Sequence, residues 1–489
     1  MTSETPYRIF SRPGIGLFAG PIVFIIMLLV PAPGTLTPVA WNVAAVGIFM
    51  AIWWISEAIP IPATALLPIV LFPVLGVGTV AEATEPFANP LIYLFLGGFI
   101  IALAMEKTNL HKRIALNILK TVGTKPKSII IGFMISTAFL SMWVSNTATA
   151  LMMLPIALSI IGLVQNRNDM TETTLNSNFA IVMLLSLAYA CNIGGIGTLI
   201  GTPPNALMAG YMLDNYGVNI GFSQWMMVGV PLVAISLPIV YLVLTRFAFP
   251  VKLKFIPGGY LFISEELEKC GNITRPEKIV GIVFSLTAFL WIFRPMLQNQ
   301  IPNLSDTGIA IFGALLMFLL PVNFRRLKFV LTWEDTRRLP WGVLILFGGG
   351  LSLAAGITSS GLAEWIGESL QGLNFLHIII LVLSSLLVII FLTEITSNTA
   401  TASAFLPILA SVSITMGYDP LLLVVPAAIG ASCAFMLPVA TPPNAIIFGS
   451  GFITIPQMAR AGLILNLVMV IIVTVVLYML GGYVFGIEF

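Results

Sequence analysis

Charge is scarce in this 489-residue chain: Asp, Glu, Lys and Arg together make up 9% of it. Soluble globular domains carry about 25% charged residues. A water-facing surface for a chain of this length cannot be assembled from so few. Histidine is scarcer still. His111 and His377 are isolated from each other, which excludes His-based metal chemistry. Three cysteines, Cys191, Cys270 and Cys433, lie far apart with no CxxC spacing. Two sit in apolar segments, so they read as small apolar residues and not as a disulfide framework or a metal site. The net charge of +2 leaves no basic footprint for a nucleic acid. No nucleophile–base pair and no His/Cys/carboxylate cluster is visible, so the chain does not read as an enzyme. What is present is apolar: 58% hydrophobic residues and a mean hydropathy of +1.03. This is the composition of an all-α polytopic membrane protein.

Runs of about 20 apolar residues cross a bilayer. Candidate spans fall near 15–30, 40–57, 61–77, 90–106, 177–213, 226–247, 277–297, 306–321, 340–358, 420–449 and 457–485. The first follows Arg8 and Arg12 as a signal peptide would. Pro31-Ala32-Pro33 then replaces a small-x-small cleavage site, so a retained helix is expected. Two further stretches, about 128–164 and 376–416, are each interrupted by Ser-Asn-Thr and read as re-entrant helical hairpins built from two short helices. The expected architecture is about eleven transmembrane helices plus two hairpins. Residues 1–89 and 277–339 supply scaffold helices, 90–249 and 340–489 form two repeats, and 250–276 is a polar linker.

Basic residues concentrate in cytoplasmic loops, and this threading obeys the rule. With the N-terminus inside, Arg8, Arg12, Lys107, Lys112, Arg113, Lys120, Lys125, Lys127, Arg167 and the six basic residues of 246–278 fall on the cytoplasmic side. So do Arg325, Arg326, Lys328, Arg337, Arg338 and Arg460. Of the 22 basic residues, Arg294 alone falls outside. The C-terminus is then external, and the two hairpins enter from opposite faces. The setting is a plasma membrane, the inner membrane in a bacterium.

An internal repeat carries the function. Leu96-Gly97-Gly98 precedes Ser145-Asn146-Thr147-Ala148-Thr149, as Phe347-Gly348-Gly349 precedes Ser397-Asn398-Thr399-Ala400-Thr401. Leu154-Pro155 and Leu406-Pro407 follow. Each hairpin then leads to a long apolar segment (about 177–213 and 420–449) broken by Thr-Pro-Pro-Asn, at Thr202–Asn205 and Thr441–Asn444. An odd number of crossings separates the copies, so they are inverted. Paired broken helices in inverted repeats point to a transporter site near the bilayer midplane.

The residue types say what such a site holds. Ser145 and Ser397 are candidate caps for the helix that starts at each hairpin tip. Asn146, Thr147, Asn398 and Thr399 supply neutral donors and acceptors there. The free N–H groups and positive dipole end of each half-helix face an anion, so a carboxylate needs no buried Arg or Lys. Pro203, Pro204, Pro442 and Pro443 lack N–H groups and clash with carbonyls one turn back. The carbonyls freed around Gly201 and Ala440 are oxygen ligands for a hard cation. Such backbone must line a cavity and not lipid. Hydroxyls of Ser141 and Thr393, one helical turn before each tip, would complete two neutral cages of a kind that suits sodium.

With both motif pairs and both hairpins in view, nearly the whole chain resembles the divalent anion/sodium symporter family, the INDY-like di- and tricarboxylate transporters. The resemblance implies secondary active transport of succinate-like C4-dicarboxylates or related acids, co-transported sodium ions, a homodimer in the lipid bilayer and an elevator mechanism. It implies a first sodium site of Ser141, Ser145, Asn146 and Gly201, and a second of Thr393, Thr396, Asn398 and Ala440. Substrate would meet Asn146, Thr147, Thr202, Asn398, Thr399 and Thr441. The family also contains sodium-independent exchangers, which stay open here as an alternative, as does a sulfate or other divalent-anion transporter. A channel needs a continuous lined pore, and the inverted repeat favours alternating access instead.

Some conspicuous residues fit less directly. Glu394 has Met142 as its repeat partner, so it stands outside the symmetric set; it is a candidate for charge at the second cation site, a proton carrier, or a partner of helix N–H groups. Glu57 reads as interfacial. Trp53, Trp54, Trp225, Trp291 and Trp341 read as anchors or packing, and Phe347-Gly348-Gly349-Gly350 as a close helix contact. The charge pattern yields a direct test. Single cysteines introduced in 250–276 should react with an impermeant thiol reagent from the cytoplasmic side only; labelling from outside would overturn the threading and the inverted repeat together.

Overall fold

The computed structural model describes residues 11–487 apart from 124, 166–172, 254, 257 and 370–376. Arg8, Arg167 and Lys254 of the charge pattern lie outside the described residues. Among the described residues the chain is helical except for loops and a two-stranded ribbon, Pro321–Asn323 with Lys328–Phe329. Nine helical stretches among them are long and apolar enough to cross a membrane.

Seven expected spans appear as uninterrupted helices, from Arg12–Leu29 and Pro38–Ser56 through Ile455–Phe485. The expected span at 61–77 is instead two short helices, Ile61–Thr64 and Leu67–Val74. Pro68 is the reason. It cannot donate to Thr64, and its ring crowds that carbonyl, so the first helix stops there. The expected span at 306–321 is the 14-residue helix Asp306–Leu319.

Both hairpins form. The first pairs Pro126–Ser141 with Asn146–Gln165, and the second pairs Ile378–Thr393 with Asn398–Thr415. Their second helices, 20 and 18 residues, are longer than the short halves expected. Pro155 and Pro407 sit inside these helices and do not end them. Both broken helices are present too: Thr173–Ile196 with Pro203–Tyr216, and Leu421–Ala431 with Pro442–Phe448.

The repeats pack reciprocally. Asn146–Gln165 lies against Pro442–Phe448, and Asn398–Thr415 against Pro203–Tyr216. Each hairpin therefore touches the distal half of the other repeat's broken helix. Around this body, Pro90–Lys107 packs on Asp306–Leu319, and Trp341–Ser359 on the N-terminal helices. The glycines make those crossings close. A Cβ on Gly97 would strike the backbone of Ala310, and one on Gly349 the backbone of Ala65. This bears out the packing role read for the 347–350 run and shows the same role at Gly97.

A helix absent from the sequence reading joins Pro90–Lys107 to the first hairpin. Leu110–Val122 buries Leu110, Ala115, Leu116 and Leu119 on one face. Its basic residues looked like a plain cytoplasmic loop, but they are ordered by partners. Lys112 reaches Glu266 at 2.9 Å and Arg113 reaches Glu277 at 2.7 Å. Lys269 and Lys112 together hold the Glu266 carboxyl below the usual carboxylate range. Lys107 meets Asp335 at 2.6 Å. The basic loops after Pro90–Lys107, around 266–277 and around 335–338 thus gather on one face of the molecule.

Candidate functional site

One cavity of about 680 Å³ receives both hairpin tips and both Thr-Pro-Pro-Asn breaks. Ser145, Asn146, Thr147, Gly201, Thr202, Thr396, Asn398, Thr399, Ala440 and Thr441 all line it, as do Ser397, Pro203, Pro442 and Pro443. Ser141, Thr393 and Pro204 are buried just behind the wall. The structure therefore brings together the residues the sequence singled out. Arg12 and Arg338 are the Lys, Arg or His residues among the lining, and both are exposed at the mouth, with exposed Glu57 and part-buried Glu106 nearby. The inner part holds no cation of its own among the described residues.

Each hairpin tip presents a helix start to this space. The first four N–H groups of a helix have no partner inside it. At the first tip Ser145 Oγ accepts from Ala148 N at 3.3 Å, the cap expected of it. At the second tip the expected cap is not made: Ser397 stands at the N-cap position without a side-chain bond. Thr396 closes that tip instead. Its hydroxyl lies 2.9 Å from the Leu392 carbonyl and in contact with the Thr401 hydroxyl, and Ser397 is left on the cavity wall.

Behind each tip sits a cluster of oxygens. Ser141 Oγ lies between Asn146 Oδ1 and the Cys191 carbonyl, 2.8 Å from the latter. Thr393 Oγ1 lies between Asn398 Oδ1 and the Ala431 carbonyl, at 2.8 and 2.9 Å. In each cluster one hydroxyl proton serves two acceptor oxygens. A surplus of oxygen over protons suits a hard cation. Gly201 joins the first cluster by way of Gly195, where a Cβ would fall against both the Asn146 amide and the Gly201 carbonyl. The Cys191 and Ala431 carbonyls were not foreseen. They are backbone atoms of the proximal half-helices, inside the last two turns of Thr173–Ile196 and at the last residue of Leu421–Ala431, and no side chain advertises them.

The breaks are held open by the last residue of each motif. Asn205 Nδ2 donates to the Thr198 carbonyl at 2.8 Å and to Gly195 at 3.2 Å. Asn444 Nδ2 donates to Leu437 and Ala434 carbonyls, both at 3.1 Å. These pairs match in repeat register, and they satisfy carbonyls that the two breaks expose. Trp225 Nε1 takes another, Ile196, at 2.9 Å. Both asparagines were passed over as mere parts of a helix-breaking motif.

Glu394 has an occupation of its own. Its carboxylate accepts from the N–H groups of Phe435 at 2.7 Å, Met436 at 2.9 Å and Leu437 at 3.0 Å, and from Asn466 Nδ2 at 2.8 Å. Of the roles open to it, pairing with backbone N–H groups is the one its contacts display. In the first repeat Thr198 Oγ1 donates to the Met142 carbonyl at 2.5 Å, so a hydroxyl ties the corresponding hairpin to the corresponding break.

Comparison with known proteins settles the lineage. Residues 14–487 match the family described as sodium:sulfate symporter transmembrane region. The chain belongs to this family. It is 46% identical over 482 residues to the sodium-dependent dicarboxylate transporter SdcS of Staphylococcus aureus strain USA300, covering 97% of this chain and 92% of that one. The same protein from strain MRSA252 matches equally. Among solved structures, the YdaH transporter of Alcanivorax borkumensis (TM-score 0.56, 11% identity, covering 91% of this chain and 99% of that one) and MtrF of Neisseria gonorrhoeae (0.57, 16%, 94% of each) share the fold. The chain is accordingly an integral membrane protein of a transporter family and not an enzyme.

Glu394 provides the test of this geometry. Its loss leaves three N–H groups without partners, that of Phe435 buried and those of Met436 and Leu437 part-buried, and a buried unpaired N–H costs about 1–3 kcal/mol. Glu394→Ala should lower the melting temperature of the purified protein sharply, and Glu394→Gln should recover part of it. An unchanged melting curve for Glu394→Ala would show that the clamp is dispensable.

Proposed function

We propose that this chain carries C4-dicarboxylates, succinate-like in size and charge, across a bacterial inner membrane together with sodium, as an elevator-type homodimer. The observation that carries the reading is the pair of proton-poor oxygen clusters flanking two helix starts in a cavity without an inner cation.

Magnitudes decide between coupled and uncoupled binding. Hydrogen bonds from N–H groups to a charged carboxylate are worth about 1.5–3 kcal/mol each, and a helix dipole adds about 0.3–1 kcal/mol. Moving an ionised carboxylate into an apolar interior costs tens of kcal/mol. A dianion doubles the problem, and a handful of N–H groups does not offset it. Cations in the two clusters do. Ser141, Ser145, Asn146 and the Gly201 region would hold one sodium, and Thr393, Thr396, Asn398 and the Ala440 region the other, with the Cys191 and Ala431 carbonyls adjoining them. Asn146, Thr147, Thr202, Asn398, Thr399 and Thr441 would meet the substrate. The name carried by the 46%-identical relatives supports this choice of cargo.

The cavity runs from the tips to Arg12, Arg338 and Glu106, on the face that gathers the basic loops. With that face cytoplasmic, the N-terminus is inside, the C-terminus outside and the site open inward. The reciprocal packing of hairpins on broken helices supports their moving as one body past Pro38–Ser56 and Asp306–Leu319. A site assembled from four broken segments has to travel intact. Succinate uptake into proteoliposomes should require sodium, and Ser141→Ala and Thr393→Ala should each raise the sodium concentration for half-maximal uptake by about tenfold, the effect of one lost ligand interaction. Equal uptake in choline or potassium medium would sink the symport and leave an exchanger.

A further inference from the structure

Two residues outside every motif connect the half-sites. Asn192 follows Cys191, whose carbonyl anchors Ser141. Ser432 follows Ala431, whose carbonyl anchors Thr393. Their side chains do not stay in their own repeats. Asn192 Nδ2 donates across the centre of the molecule to Thr441 Oγ1 at 3.2 Å, and it lies 3.2 Å from the Ala434 carbonyl and 3.5 Å from Asn444 Oδ1. Ser432 Oγ lies 3.3 Å from Thr202 Oγ1. Both are almost wholly buried, and Asn192 lines the cavity.

The arrangement is reciprocal. In each repeat the proximal half-helix carries two such consecutive residues toward its C-terminal end, Cys191-Asn192 inside the last two turns of Thr173–Ile196 and Ala431-Ser432 at the end of Leu421–Ala431. The first gives its carbonyl to its own hairpin, and the second gives its side chain to the Thr-Pro-Pro-Asn threonine of the other repeat. Any shift of Thr441 is therefore passed to the backbone that positions the first oxygen cluster. Any shift of Thr202 is passed to the backbone that positions the second. Buried hydrogen bonds of this kind, in a low-dielectric setting, act as stiff struts.

We infer that Asn192 and Ser432 are positioning residues that couple the two cation half-sites, so that ions and substrate bind them cooperatively. The inference rests on the sodium-coupled reading and goes beyond it, because two independent cages would serve a symporter equally well. Coupling between sites is a free energy and acts in both directions. The two struts differ in chemistry. Asn192 reaches three acceptors and Ser432 meets one hydroxyl, so the Asn192 strut carries the larger share.

The test is the sodium dependence of succinate uptake by reconstituted protein. Wild type should show a Hill coefficient clearly above 1 for sodium. Asn192→Ala should bring it toward 1 and raise the succinate KM about tenfold, the equivalent of one good hydrogen bond, while kcat changes less than about twofold. Asn192→Ser keeps a buried hydroxyl too short to reach Thr441 and should also lose cooperativity, which preserves the test if the alanine variant folds poorly. Ser432→Ala should produce the same change more weakly. In combination with Thr441→Ala, Asn192→Ala should add little, since both remove the same contact. A Hill coefficient unchanged in Asn192→Ser, or full additivity with Thr441→Ala, would overturn the inference. Sodium-independent uptake by wild type would instead overturn the reading beneath it, and that is seen before any variant is made.

Discussion

A doubly charged anion in a membrane interior has to be solvated by the protein, and on the proposed reading this chain would do so with almost no fixed charge. That constraint organises the rest of the structure. Neutral solvation demands free backbone N–H groups for the anion and free carbonyls for countercharges, and both come only from helix ends. Helix ends at mid-membrane require hairpins that turn back and spans that stop and restart. Those interruptions in turn need local support: Asn205, Asn444, Trp225 and Glu394 each satisfy backbone groups that the interruptions expose. The charged residues that do line the cavity, Arg12 and Arg338 with Glu57 and Glu106, are kept to its mouth, where their near balance leaves no strong trap for a departing anion.

The two repeats reach equivalent geometry by different chemistry. Serine at 141 is threonine at 393, and a hydroxyl–carbonyl tie at Thr198 and Met142 is replaced by the carboxylate of Glu394. Ser145 caps its helix; Ser397 leaves the tip to Thr396. The cross-links between repeats are an amide on one side and a hydroxyl on the other. Repeats inverted in a membrane open to different faces, so identical tips are not required of them. What both keep is the asparagine amide against a hydroxyl and a carbonyl of the proximal half-helix.

Much of this was legible in the sequence, for physical reasons. Ser-Asn-Thr and Thr-Pro-Pro-Asn interrupt otherwise unbroken apolar runs, and in lipid such an interruption has few explanations. The glycine run at 347–350 announced a close crossing. The rest depended on partners that sequence does not display. The carbonyls of Cys191 and Ala431 carry no side-chain signature. The helix Leu110–Val122 hid behind its charge, although leucines recurring at 110, 116 and 119 and an alanine at 115 mark an apolar face. Pro68 was the available signal that 61–77 would not be one helix. The role of Glu394 became visible only once the N–H groups of 435–437 stood beside it.

The central claim is that the two hairpin tips, and not the charged mouth, bind the anion. Calorimetric titration of succinate into purified protein in sodium buffer tests it most directly, comparing wild type with Asn146→Ala and Asn398→Ala. Saturable binding by wild type, lost in both variants while each still elutes as a folded species, is the predicted result. Binding of undiminished strength by both variants would contradict the account.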